Sequence, residues 1–175
     1  MKKLIILIVA IILVAGLSTT VKSQSNKATT NALASVVSAI SLAKDIDLNF
    51  GSMTPPTADV DVVLSTTNSI TTDVGKILHF PTGTANAHYN VIGEKNYAYT
   101  ISLPADNFVT ITKGGANPMK VDNFKARTLT GSVDGLSGTL NGSGQDSFAV
   151  GATLKVTNAQ PIGAYTGSFE VMVVY

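Results

Sequence analysis

His79 and His88 are the two histidines of this sequence, and histidine is the side chain that titrates near neutrality without perturbation. A search for acid–base chemistry therefore starts with them. His79 stands in Ile77-Leu78-His79-Phe80 and His88 follows Asn86-Ala87. Both positions read as surface or hydrogen-bonded histidines of strands or loops, because no neighbour supplies the nucleophile that a base would activate. Cysteine is absent, which removes thiolate chemistry, disulfide bracing and a lipid-modified thiol at the N-terminus. Serines are numerous, but none lies in a G-x-S-x-G elbow. Asp59-Val60-Asp61 places two carboxylates two residues apart, hence on one face of a strand and open to a contribution from Asp73. Calcium asks for six to eight oxygens, and the acidic loop with a closing Glu is missing; a solvated strand edge is the simpler reading. Gly142-Ser143-Gly144 lacks the spacing and the Lys of a phosphate loop, and reads as a turn. The inventory assigns no catalytic, cofactor-binding or metal residues and predicts a non-enzymatic protein.

Compartment follows from the first residues. Met1-Lys2-Lys3 leads into an apolar run from Leu4 to Gly16, and Val21-Lys22-Ser23 sets small residues where a signal peptidase cuts before Gln24. A run of about thirteen residues falls short of the roughly 20 needed to span a bilayer, so residues 1–23 are expected to be a cleaved signal peptide rather than an anchor. The expected product is exported, to periplasm, cell surface or medium, with no membrane span. Residues 24–175 then form a single domain, long enough to bury a core without staples. The leader holds Lys2, Lys3 and Lys22 of the twelve basic residues and none of the eleven acidic ones, so the mature chain has net charge −2. That balance excludes a nucleic-acid-binding footprint. Lys120 to Arg127 is the densest basic stretch, and the interposed Asp122 makes it read as a solvated face.

The elements that would position any site are strands. Ile46, Leu48 and Phe50 alternate with polar residues, as do Val60, Val62 and Leu64; Tyr97, Tyr99, Ile101 and Leu103; and Phe148 to Val156. Tyr165, Gly167, Phe169, Val171, Val173 and Tyr175 line one face of a final strand. Period-two alternation is the mark of half-buried strands. Weaker runs lie at Leu33–Leu42, Ile77–Phe80, Tyr89–Ile92, Val109–Thr112 and Met119–Phe124. Turn formers separate them, among them Pro55-Pro56, Lys113-Gly114-Gly115, Asn141-Gly142 and Gln160-Pro161-Ile162-Gly163. Ala32 to Ala43 comes nearest to a helical pattern, but Val36-Val37 and its serines argue against one. Gly131 to Gly144, with five glycines and three serines, is expected to be a flexible loop or hairpin. About ten short strands predict an all-β, immunoglobulin-like antiparallel β-sandwich.

Three stretches together resemble a known family. They are Leu48-Asn49-Phe50-Gly51, then Val121-Asp122-Asn123-Phe124, and the tail from Gln160-Pro161-Ile162-Gly163-Ala164-Tyr165-Thr166-Gly167-Ser168-Phe169 to Val174-Tyr175. This pattern resembles the exported bacterial family called domain of unknown function 4402, with Leu48, Phe50, Gly51, Gly163, Tyr165, Gly167, Phe169 and Tyr175 as its structural motif. More distantly it is similar to spore-coat-U-like and chaperone–usher pilin domains. That similarity implies a sandwich lacking a strand, completed by the N-terminal extension of a neighbour. Ala34, Val36, Ile40 and Leu42 alternate along the expected strand-exchange segment, which otherwise pairs within its own chain. The resemblance thus implies a structural or adhesive surface protein, fimbria-like, with itself or related surface subunits as partners and no cofactor. The alternative is a monomeric secreted module that binds carbohydrate or protein, with Tyr89 or Phe108 exposed on one rim.

Overall fold

The computed structural model describes residues 24–175, so the expected signal peptide, residues 1–23, lies outside the described residues. Every regular element described is a strand. In chain order they are β1 (Ser41–Ile46), β2 (Ser52–Met53), β3 (Val60–Leu64), β4 (Ile70–Thr72), β5 (His79–Phe80), β6 (Ala87–Ile92) and β7 (Ala98–Ser102). There follow β8 (Val109–Lys113), β9 (Ala116–Thr128), β10 (Val133–Asp134), β11 (Ser137–Thr139), β12 (Gln145–Val156) and β13 (Met172–Val174). All pairings are antiparallel, and the sheets form an all-β sandwich.

Strand β12 organises the larger sheet. One of its edges pairs with β9. Along the other edge Gln145–Val150 pairs with β6, then Ala152–Val156 pairs with β3. Gly151 stands at the handover, where a Cβ would lie 2.4 Å from the Leu64 carbonyl oxygen and 2.6 Å from the Ser65 carbonyl carbon. Only glycine lets the end of β3 pass that close. Strand β1 extends the sheet beyond β6, and β4 extends it beyond β3. The second sheet contains β11, β7 and β13, and Thr166 bridges to Thr112 at the end of β8.

The core has two centres. One gathers Val60, Val62, Leu64, Val109, Met119, Val121, Leu154 and Val156; the other gathers Val91, Tyr99, Ile101, Leu140, Phe148 and Val150. Leu48 and Phe124 pack against both. The alternating residues expected to be core are buried at Tyr99, Ile101, Phe148 and Val150. Tyr89 is buried and stacks on Phe148 with ring centroids 5.1 Å apart, so it is not the exposed rim aromatic the sequence suggested. Phe108, in the loop before β8, is 83% exposed.

Two other expectations are corrected, at Asp122 and in the final strand. Asp122 is buried rather than part of a solvated face. It accepts the Asn107 N–H at 2.6 Å, while Asp106 accepts the Asn123 N–H at 2.7 Å. The exchange ties the loop before β8 to a bulge in β9, where Asn123 takes the left-handed conformation that asparagine tolerates. Gly131–Gly144 is a hairpin region holding β10 and β11 and burying Leu140. The final strand is regular only over Met172–Val174, with the single bridge at Thr166 before it.

Val36–Tyr175 makes one compact unit. Residues 24–35 form no strand and are exposed throughout.

Candidate functional site

The irregularity of the last strand has a physical cause in what lies beside it. Residues Asp47–Pro55 and Gln160–Phe169 form the two walls of an open groove of about 640 Å³. Its floor is Val109, Ile111, Met119, Val121, Leu154 and Val156, side chains of one of the two core centres. In a closed sandwich such a floor lies beneath another strand. Here no described segment lies in the space between the walls, and the floor side chains other than Ile111 are themselves buried, at 1–6% exposure.

Each wall follows from its sequence. The first begins where β1 ends. Asn49 exchanges two backbone hydrogen bonds with Ala85, and its side-chain oxygen accepts the Gly51 N–H at 2.9 Å. Gly51 has φ of 77° and a Cβ there would sit 2.8 Å from the Phe80 carbonyl oxygen, so glycine is required. Leu48 and Phe50 turn into the core, which explains their alternation with Asn49. His79 closes the back of this wall, its Nε2 donating to the Phe50 carbonyl at 2.6 Å.

The second wall is held on one edge only. Thr166 gives and takes hydrogen bonds with Thr112, which turns the backbone groups of Tyr165, Gly167 and Phe169 the other way, toward the groove. Those three residues make no backbone hydrogen bond among the described residues. Gly167 lets the wall approach β8, since a Cβ would stand 2.4 Å from the Thr110 carbonyl oxygen. Phe169 packs on Phe124 with ring centroids 4.9 Å apart. Tyr165 donates to the Pro161 carbonyl at 2.7 Å, and Gln160 donates to Tyr165 Oη at 3.1 Å and to the Asn117 carbonyl at 3.0 Å. These bonds shut one end of the groove.

The motif residues thus come together. Leu48, Phe50 and Gly51 line one wall, and Gly163, Tyr165, Gly167 and Phe169 line the other. Tyr175 lies elsewhere, at the start of β1, where its hydroxyl donates to the Ser38 carbonyl at 2.9 Å. The expected strand-exchange residues divide. Ile40 and Leu42 pack against the chain's own core, and β1 pairs with β6 from Ser41 onward. Ala34 and Val36 are exposed, Val36 at 99%. The floor residues Ile111, Met119 and Val121 were legible only as core. Nothing in the sequence marked Glu94, whose carboxylate accepts the Ser38 N–H at 2.8 Å.

The groups considered for chemistry are dispersed. His88 Nε2 meets Asn86 Oδ1 at 3.1 Å, far in sequence and partner from His79. Asp61 pairs with Lys155 at 2.6 Å, Asp59 accepts the Asn158 N–H, and Asp73 pairs with Lys76. Ser41 and Lys44 have the S-x-x-K spacing, but on a strand that separation directs them to opposite faces. Lys44 pairs with Asp47, and Ser41 Oγ lies 3.4 Å from the Ile92 carbonyl. Burial raises the Tyr99 phenol above its ordinary range, and the buried hydrogen bond to Asp146, 2.8 Å long, raises it further. Glu94 is held below the ordinary carboxylate range, chiefly by the Ser38 N–H.

The chain belongs to the family described as Domain of unknown function (DUF4402), whose pattern matches residues 40–175. The match includes both walls of the groove and begins two residues after Ser38. No curated protein matches the chain significantly.

Proposed function

We propose that this protein is an exported, non-enzymatic structural subunit that assembles with copies of itself by strand addition, residues 24–37 of one copy filling the groove of the next. The groove carries the proposal: its floor is apolar core, and the backbone groups of Tyr165, Gly167 and Phe169 on its second wall have no backbone partner among the described residues. Small-molecule sites are largely apolar too, but they converge a few polar side chains on the ligand. Here the unsatisfied polarity lies along a backbone edge, and another backbone is what satisfies it.

The chain supplies a suitable strand. Residues 24–35 have no regular structure, Leu33 is 94% exposed, and Ala32, Ala34 and Val36 alternate with polar or larger residues. From Ala28 to Ala43 there is no charged residue, so burying residues 28–37 desolvates no ion, with Lys27 left at the outer end. At about 3.3 Å per residue, fourteen residues reach about 46 Å, against about 33 Å for the ten-residue wall. The similarity of the tail to pilin-type sandwiches supports the same mode of assembly.

Size-exclusion chromatography with light scattering tests it, comparing the exported protein with a variant lacking residues 24–37. Polymers or swapped dimers from the first and monomers from the second are expected. A stable monomer in both cases would overturn strand addition and turn attention to ligands of the rim that carries Phe108.

A further inference from the structure

Two side chains converge on the backbone of Ser38. The Glu94 carboxylate accepts its N–H at 2.8 Å, and the Tyr175 hydroxyl donates to its carbonyl at 2.9 Å. The same hydroxyl accepts the Glu94 backbone N–H, so Tyr175 is tied to the backbone of the residue whose carboxylate holds Ser38. Tyr97 holds the Tyr175 ring edge-on, with centroids 5.6 Å apart. Gly93 makes room: a Cβ there would lie 2.2 Å from the Tyr175 hydroxyl. Ser38 belongs to no strand, yet both its backbone polar groups are gripped by side chains from elements distant in sequence. Two residues earlier Val36 is 99% exposed.

We infer that Tyr175 and Glu94 form a clamp on Ser38 that fixes where the N-terminal segment leaves the domain, keeping Ile40 and Leu42 in their own core and leaving residues up to Val37 for a neighbouring copy. A strand that is pulled or exchanged peels from its end unless some point is pinned, and an end turn held by two hydrogen bonds opens less often than one held by none. The clamp itself is independent of assembly. Its consequence, that the donated segment ends at residue 37, rests on the strand-addition proposal.

Residue-resolved hydrogen exchange on the monomeric fraction of the purified full chain tests the clamp. The Ser38 amide is expected to be protected while those of residues 29–35 exchange at the unfolded rate. Tyr175→Phe keeps the ring and removes both hydroxyl bonds; it should speed exchange at Ser38 and Glu94 about tenfold, with Val150 unchanged. Glu94→Gln retains an acceptor oxygen and should speed Ser38 less than Glu94→Ala does. If Tyr175→Phe also exposes Val150, the two Glu94 variants decide. The clamp is overturned if Ser38 exchanges at the unfolded rate in the parent, or if neither Tyr175→Phe nor Glu94→Ala alters it. Protection at Ser38 in a chain that never assembles would keep the clamp and discard strand addition.

Discussion

At the residue scale the buried pair of Tyr99 and Asp146 gives the cleanest test of the core, because its two partners are read out differently, one by stability and the other by pH dependence. Asp146→Ala strands the Tyr99 hydroxyl without a partner, at a cost of about 1–3 kcal/mol, visible as a lower midpoint in urea. The pH dependence has a definite sign. The phenol is raised in the folded state, so above pH of about 10 the unfolded chain loses its Tyr99 proton while the folded chain keeps it. Stability falls as pH climbs through that window, by up to about 1.4 kcal/mol per pH unit, and levels only beyond the folded-state value. Tyr99→Phe should flatten that part of the alkaline limb; an unchanged slope would show that the phenol titrates normally. Gly93→Ala belongs at this scale too. Its Cβ must displace the Tyr175 hydroxyl, and a loss of about 1–3 kcal/mol in melting experiments is expected. Single residues were partly legible in the sequence: Tyr99 stood in a clean alternation, whereas the partnership with Asp146, 47 positions away, left no local trace. The same holds for Glu94 and Ser38, which periodicity cannot connect.

At the scale of elements, β12 shows what alternation conveys and what it omits. Phe148, Val150, Ala152, Leu154 and Val156 announced a strand, and the strand is there. That it changes partner midway rests on Gly151, a residue that reads in sequence as an interruption. Gly151→Ala drives a Cβ into the backbone of Leu64 to Thr66, which cannot swing aside as a side chain would. A loss of about 3 kcal/mol or more is expected, measured as failure to fold or a collapsed denaturation midpoint. The final strand taught the converse. Its alternation from Tyr165 to Tyr175 is continuous, but regular pairing is confined to Met172–Val174, and the groove-side edge has no partner among the described residues. Alternation reports which side chains face a core; it is silent on whether both edges are occupied. Phe169→Ala therefore has two readouts. Phe169 is half-buried against Phe124, so truncation should cost about 2–4 kcal/mol in the isolated domain. If the groove is a strand acceptor, the same change weakens assembly beyond what that loss explains. The Leu33–Leu42 run divides likewise: its last residues pair with β6, while Leu33, Ala34 and Val36 are exposed.

At the scale of the whole molecule, the first and last of the three stretches carrying the family pattern, more than a hundred residues apart, face each other across one gap over the core. The floor side chains are already buried, so a segment filling the gap would add packing over them and cover apolar surface of the walls, at about 25 cal/mol for each Å² removed from water. On the strand-addition proposal the gap is one half of an interface, and residues 28–37, which carry no charged side chain, are the other. A chain without cysteine allows that pairing to be trapped directly. Val36→Cys in one population and Ser168→Cys in another, mixed under mild oxidation, should yield a disulfide-linked heterodimer that appears on non-reducing gels and disappears with reductant. Ser168 lines the groove and is exposed, so the thiol is accessible without disturbing the core. Ser132→Cys, in the turn between β9 and β10 and outside the groove lining, serves as the collisional control. Equal trapping by Ser132→Cys would sink the strand-addition model. Placing both Val36→Cys and Ser168→Cys on one chain separates the remaining possibilities: an intramolecular bond in a monomer means the segment closes its own groove. Bonds that form only between chains mean that each copy needs its neighbour to complete the sandwich.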